Sequence, residues 1–343
     1  MFLGLTVVGV VALFAPVIGT AVAGAIEPNP TASDALEPLI LRLGTGSPSG
    51  TYYPMGTLLA KGLTLPGDED CGQSLCGPGA VLVVAQASNG PVANLQAMER
   101  GMVELGIAQS NIVDWAYRGT GRFKGRAPAD QLRAVATLYV EKLHLIVRKG
   151  AGVSSVADLR GRHVALDEQG TGTLEDVRVL LRAHGMTERD MRLHYIKPDL
   201  AFEHMQKGRL DALFLLAGSP VPILRSAERE MLFTLVPIQG EPVDLFLSEM
   251  PYHRRISVLA DTYADVPETP TIGLGAQLLV RADLDEQLVY RLTQALWSDR
   301  MRAILDKGHE QGRFVRLETA LDGIPIPLHP GAERFYREIG LVK

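Results

Sequence analysis

Short apolar runs alternate with longer stretches of helical periodicity along the first part of the chain. A run of apolar residues that is short and bounded by glycine or polar residues predicts a buried strand, and recurrence every three to four residues predicts a helix. On these criteria the chain has strands at 39–43, 80–85 and 105–109, with helices at 55–63 and about 91–101. This order is typical of an α/β fold.

The middle of the chain repeats the same order of elements. Strands are predicted at 162–166, 193–196 and 212–216, and helices at about 174–185 and 200–207. Both halves carry a Gly-Thr-Gly sequence after their first strand. We therefore expect a duplicated α/β lobe.

The similarity between the halves is sharpest where a helix gives way to a buried strand. A Met-x-x-Gly-x-x-acid pattern occurs at 98–104 and again, with identical spacing, at 205–211. The glycines, Gly101 and Gly208, fit the C′ position of a helix, where a left-handed conformation costs glycine little. Two such lobes leave a cleft between the carboxyl ends of their strands, which is where open α/β sheets bind ligands.

Two Gly/Thr-rich loops, at 44–54 and 170–173, follow strands and open helices. Backbone N–H groups at a helix N-terminus suit a carboxylate or phosphate. A nucleotide site does not fit, because Gly44-x-Gly46-x-x-Ser49 lacks the third glycine of the dinucleotide pattern and neither loop ends in Gly-Lys-Ser/Thr. Ordinary turns with helix caps are the alternative for each loop.

A long apolar segment at 138–147 joins the two halves and is predicted to form a crossover strand and the floor of the cleft. It contains Glu141, which could accept the ammonium group of a ligand. A solvated hinge residue is an equally good interpretation of Glu141, and the sequence leaves both open.

Two segments that could suggest catalysis or metal binding do not match the corresponding motifs. Gly46–Gly50 is not a nucleophile elbow, because Pro48 and not serine lies at its centre. His309-Glu310 has no second histidine at the zinc-helix spacing. We predict no catalytic residue, no metal and no cofactor.

The N-terminal segment and the charge indicate where the protein acts. Residues 1–25 are apolar, lack charge and end in small residues, which fits a cleaved signal peptide or an uncleaved membrane anchor; 26–38 is predicted to be a linker. Both alternatives place the rest of the chain outside the cytoplasm. A formal net charge of -5 without a basic excess argues against nucleic acid as a partner.

The two cysteines of the chain, Cys71 and Cys76, lie close together in sequence. In an oxidising compartment such a pair most simply forms a disulfide, with free thiols as the alternative. A structural metal site would need two more ligands, and no histidine lies nearby.

Residues 39–340, approximately, resemble the TAXI family of TRAP-transporter solute-binding proteins in the order and spacing of several short segments. The segments that carry the resemblance are 44–54, 106–110, 143–147, 155–164, 170–173 and 327–336. The resemblance implies a periplasmic, type II-like clamshell of two α/β lobes that is a monomer. Lobe 1 would comprise 39–140 plus 240–343, and lobe 2 would comprise 141–239.

The resemblance also implies a function. The protein would capture a small organic acid or amino acid, such as glutamate or 2-oxoglutarate, and deliver it to the membrane subunits of a TRAP transporter. The rival from another class is a membrane-tethered sensor built on the same clamshell, and a secreted enzyme acting on a small acid is a minor alternative.

Carried over to this chain, the family implies a ring of ligand-binding residues from both lobes. They are Ser49, Gly50, Thr51, Tyr52, Asn89, Gln109, Ser110, Glu141, Thr171, Gly172, Thr173, Gly218 and Ser219. Two departures bear on ligand choice. Pro48 should stiffen the first loop, and Glu175 with Asp176 should weaken the attraction of the second helix for an anion.

Overall fold

The computed structural model describes residues 38–66, 80–227 and 233–343. The predicted signal peptide or anchor at 1–25, the linker up to 37, and the Cys71–Cys76 pair lie outside the described residues. Among the helices that are described, none is long and apolar enough to cross a membrane.

The first α/β unit begins the described chain. Its strands and helices are β1 (Leu39–Gly44), α1 (Tyr52–Leu63), β2 (Val81–Gln86), α2 (Pro91–Glu99), β3 (Leu105–Gln109) and α3 (Ser110–Arg118). The three strands are parallel, with β1 between β2 and β3. Leu41, Leu43 and Ile107 are almost fully buried against α1, which contributes Met55 and Leu59 to the same core.

A long strand, β4 (Leu132–Arg148), leads into the second unit. That unit consists of β5 (His163–Ala165), α4 (Gly172–Ala183), β6 (Arg192–His194), α5 (Pro198–Gln206), β7 (Ala212–Gly218), α6 (Pro222–Ala227), β8 (Phe233–Leu235), α7 (Glu241–Glu249) and β9 (Arg254–Val258). Strands β5, β6 and β7 are parallel, with β5 in the middle.

A second long strand, β10 (Thr269–Arg281), returns to the first unit, and α8 (Glu286–Leu296), α9 (Asp299–Gly308) and α10 (Pro330–Glu338) complete the described chain. The sheet order is β2-β1-β3-β10-β4-β7-β5-β6, with β8 paired to β4 and β9 to β10. The arrangement β2-β1-β3 beside antiparallel β10 is thus repeated as β6-β5-β7 beside antiparallel β4. The predicted α/β clamshell of two similar lobes is confirmed.

The helix ends that carried the sequence repeat are also alike. Gly101 and Gly208 both have φ of +67°, the left-handed conformation predicted for them. The acids that follow are paired in the same way, Glu104 with Arg42 and Asp211 with Arg148.

The boundaries of the lobes follow from packing and differ from those predicted. Val243, Phe246 and Met250 share a hydrophobic core with Val177 and Leu180 of the second unit. The first half of β10 likewise pairs with β9. Because these residues bury their apolar side chains in lobe 2, we place the return to lobe 1 within β10 and not at residue 240.

Candidate functional site

A cavity of about 300 Å³ lies between the two lobes, at the carboxyl ends of their parallel strands. Its walls include the residues that precede the first turns of α1, α2, α4 and α5, namely Thr51, Gly90, Thr171 and Lys197. Helix N-termini carry unsatisfied backbone N–H groups and a partial positive charge. The cavity therefore provides several donors for an anionic group.

Most of the residues predicted for the site line this cavity. They are Ser49, Gly50, Thr51, Tyr52, Asn89, Gln109, Glu141, Thr171, Gly172 and Thr173. They come from both lobes and from β4, so the structure brings together segments that are far apart in sequence.

Three predicted residues lie elsewhere. Ser110 Oγ donates to the carbonyl of Gly275 over 3.0 Å, and Ser219 Oγ is 2.8 Å from His144 Nε2. The carbonyl of Gly218 accepts a hydrogen bond from Thr51 Oγ1 over 3.0 Å. Ser110 and Ser219 border a second cavity, and Gly218 forms a contact between the lobes.

Glu141 lies on β4 where the strand passes from one lobe to the other. Its side chain is buried, with 1% of the residue exposed, and it accepts a hydrogen bond from Gln109 Nε2 over 2.6 Å. Burial raises the pKa of Glu141 to about 8, although the Gln109 hydrogen bond acts in the opposite direction. Glu141 is therefore not a solvated hinge residue, and its carboxyl is mostly protonated at pH 7 in the ligand-free protein.

Other polar atoms around Glu141 are buried without partners. Within the described residues, the hydroxyls of Tyr52 and Tyr139 and the Oε1 atom of Gln109 have no hydrogen-bond partner. Burial raises the pKa of both tyrosines well above its usual value, and the nearby Glu141 carboxyl adds to the effect. Since buried polar groups are normally satisfied, this group of atoms is well suited to receive a polar ligand.

Three charged residues that line the cavity were not predicted from the sequence. Asp167 has a left-handed backbone with φ of +69°, and burial raises the pKa of its carboxyl to about 6. Lys197 Nζ lies 3.8 Å from Oε2 of Glu168, which is in the loop before α4. Asp167 and Glu168 follow β5 closely and Lys197 directly precedes α5, and this position relative to the strands is the signal that could have identified them.

The two acids in the first turn of α4 differ in their surroundings. Glu175 pairs with Arg122 over 2.8 Å and with Arg178 over 3.2 Å. Asp176 is fully buried, 2.7 Å from His253 Nε2, and accepts a hydrogen bond from Asn111. Glu175 is thus paired with two arginines, whereas the charge of Asp176 still acts on the cavity, where it contributes to the raised pKa of Glu141.

Helix α3 of lobe 1 makes several polar contacts with lobe 2. Asn111 Nδ2 donates to Asp176 Oδ1 over 2.8 Å, and Asp114 Oδ1 accepts from the Tyr252 hydroxyl over 3.0 Å. The Arg122–Glu175 ion pair follows shortly after this helix. These contacts hold the two lobes together.

Substituting Asn111→Ala should therefore favour separation of the lobes. The substitution removes the donor to a buried carboxylate, an interaction worth about 1.5–3 kcal/mol, so ligand affinity should fall about tenfold or more. Small-angle scattering of the ligand-free variant should show a larger radius of gyration. Arg126→Ala is the control, because its ion pair with Glu99 lies within lobe 1; equal scattering curves for both variants would contradict a role for Asn111 in closure.

The chain matches the sequence profile of the NMT1-like family over residues 43–340. Among solved structures it is similar to the alkanesulfonate-binding protein SsuA from Xanthomonas axonopodis pv. citri bound to MOPS, with 18% identity, 88% of this chain and 85% of that chain covered, and a TM-score of 0.47. It is also similar to the GluR0 ligand-binding core from Nostoc punctiforme in complex with L-glutamate, with 14% identity, 79% and 99% covered, and a TM-score of 0.45.

Proposed function

The chain belongs to the NMT1-like family, and we propose that it is an extracytoplasmic solute-binding protein that captures a small amino acid or organic acid without chemical conversion. The observation that carries the proposal is a cavity of about 300 Å³ between the lobes, with charged and polar groups from both. A cavity of this size suits a small solute. Closure of two lobes around it would exclude water and strengthen charge-assisted hydrogen bonds.

The cavity suits the carboxylate of such a ligand. The first turns of α1 and α4 present backbone N–H groups, and Lys197 supplies a cation. Thr171 Oγ1 accepts a hydrogen bond from the Leu174 N–H, which holds the loop before α4 in place. A carboxylate there would interact with fixed dipoles, so little reorganisation is needed on binding.

The same cavity suits an ammonium group near Glu141. An amino acid would bring a positive charge to this buried carboxyl, and the unpartnered Tyr52 hydroxyl and Gln109 Oε1 could accept its remaining N–H groups. A 2-oxo acid has no such group. We therefore favour a glutamate-like amino acid over 2-oxoglutarate.

We further propose delivery of the solute to a TRAP-type membrane transporter. This partner is supported by the sequence segments that resemble the TAXI family, especially 44–54 and 170–173, which border the cavity. Reconstitution with the membrane subunits of such a transporter would test it directly.

A ligand screen with the purified full-length protein tests the binding function. One class among amino acids, 2-oxo acids and dicarboxylates should raise the melting temperature in a concentration-dependent way. If an amino acid binds through Glu141 at pH 7, the carboxyl should release close to one proton, because a neighbouring cation lowers the pKa from about 8. Calorimetry in two buffers with different ionisation enthalpies measures this release.

The possible results separate the parts of the proposal. Binding of an amino acid without proton release would contradict the role of Glu141 but leave the binding function intact. The absence of any response across all three classes would overturn the proposed function.

A further inference from the structure

A second cavity, of about 520 Å³, lies beside the segments of β4 and β10 that connect the lobes. Thr137, Gln311 and Phe314 of lobe 1 border it on one side, and Arg254, Ile256 and Leu259 of lobe 2 on the other. Its lining also includes Ser110 and Ser219, which were predicted for the cleft, and Tyr139 and Tyr252, which are described above. Its chemistry differs from that of the cleft.

Two cations face this cavity from strands on either side of β10. Lys142 of β4 and Arg254 of β9 are both paired in register with Gly273 of β10. Side chains of directly paired residues lie on the same face of a sheet, and adjacent strands are about 4.8 Å apart. The two side chains therefore extend from the same face, on either side of Gly273.

Neither cation has a partner of opposite charge. In the described part of the chain, Lys142 and Arg254 make no side-chain hydrogen bond or ion pair. Lys142 is partly buried. Its pKa is lowered mainly by burial and, to a smaller extent, by the nearby Arg313 guanidinium. Glu268 and Asp322 also border the cavity, but neither is paired with these two cations. A partly buried ammonium without a counter-ion is unfavourable, and an anion in the cavity would relieve it.

The remainder of the lining is suited to an apolar group. The Val140 and Ile256 side chains cover Gly273, where a Cβ atom would lie 3.1 Å from a methyl carbon of each, and both residues line the cavity. Phe314 and Leu259 at the cavity are large apolar residues that are 40% and 54% exposed. Ile256 lies on the same face of β9 as Arg254, because side chains two residues apart on a strand share a face. Cationic and apolar surfaces thus adjoin one another.

We propose that this cavity is a second binding site, specific for an amphipathic organic anion. The anionic head would lie between the side chains of Lys142 and Arg254, and the aliphatic or aromatic body would pack against Ile256, Leu259 and Phe314. The site is separate from the cleft and does not depend on the identity of the cleft ligand. Because its lining comes from both lobes, an occupant would contact both.

Octanoate is a suitable probe, with 1-octanol as the uncharged analogue of the same chain length. Isothermal titration of the full chain should show one octanoate site in addition to any in the cleft, and at least tenfold weaker binding of octanol. Lys142→Ala should lower octanoate affinity about tenfold or more, since a charge-assisted hydrogen bond is lost, and Arg254→Ala should act in the same direction.

Two control variants locate the site. Arg255→Ala changes the next residue of β9, which lies on the opposite face and pairs with Asp244 over 2.6 Å, so it should leave octanoate binding unchanged. Lys197→Ala removes the cation of the cleft and should also leave it unchanged. Loss of octanoate binding in Lys197→Ala but not in Lys142→Ala would assign the anion to the cleft and overturn the proposal. Absence of octanoate binding to the native protein, or equal binding of octanol, would overturn it as well.

Discussion

Replacing Glu141 by glutamine should stabilise the ligand-free protein at pH 7 by up to about 3 kcal/mol and should abolish proton release on ligand binding. Glutamine keeps the size of the side chain and can still accept the hydrogen bond from Gln109 Nε2. Its amide can also donate to the unpartnered hydroxyls of Tyr52 and Tyr139. The substitution therefore removes the cost of burying a titratable carboxyl without removing its contacts.

The pH dependence of the stability follows from the direction in which the pKa of Glu141 is shifted. In the folded protein the pKa of Glu141 is about 8, whereas its ordinary value is 4.5. Between these two values the unfolded chain releases this proton and the folded chain retains it. The contribution of Glu141 to the free energy of unfolding is thus largest below pH 4.5, decreases up to about pH 8 and then becomes constant.

Denaturant unfolding of the native protein and Glu141→Gln between pH 5 and pH 9 measures this effect. The difference in stability between the two proteins should grow with pH and level off near pH 8. Glu318→Gln, at an exposed position, is the matched control and should show no such trend. A difference that does not vary with pH would mean that Glu141 is already ionised in the folded protein.

Substituting Gly172→Ala should weaken ligand binding by about 5- to 150-fold, the equivalent of the 1–3 kcal/mol that overpacking costs. A Cβ atom at Gly172 would lie 1.8 Å from Gln109 Oε1, across the contact between the lobes. Gln109 cannot easily move, because it is buried and its amide nitrogen donates to Glu141. The folded lobes themselves should be little affected, since alanine favours a helix more than glycine does.

A double-mutant cycle tests this explanation. Gln109→Ala removes all three atoms that the new Cβ would contact, so it should weaken binding by itself but make the further change Gly172→Ala nearly neutral. Titration of the ligand identified in the screen gives the four affinities. If Gly172→Ala is equally harmful in both backgrounds, the contact with Gln109 is not the cause.

Local patterns predicted much of each lobe. Strand β3 occupies the predicted residues, and α5 and β7 differ from prediction by a few residues at their ends. These elements have clear apolar runs or periodicity and are bounded by residues that stop them. By contrast, β10 was not predicted, because Pro270, Gly273 and Gly275 interrupt its apolar pattern. Its strand conformation depends on pairing with β3, β4 and β9, which are distant in sequence.

The candidate site was predicted less completely than the fold. The Gly/Thr loops were found because glycine and threonine before a helix are a local signal, and both loops border the cavity. Lys197 has no glycine or threonine beside it, so only its position between a predicted strand and a predicted helix could have identified it. The burial of Glu141, and hence its raised pKa, could not be derived from a sequence that allowed a solvated hinge residue equally well.

The sequence by itself determined the duplicated strand–loop–helix units, because their periodicity and helix ends depend on neighbouring residues. The sequence also determined that a Gly/Thr-rich loop precedes a helix in both units. Only the tertiary structure decided that these loops border one cavity, that Glu141 is buried beside it, and that α7, β9 and part of β10 belong to lobe 2. The physical reason is that burial, ion pairing and strand pairing here join residues far apart in the chain, and no local pattern specifies which distant partner each residue meets.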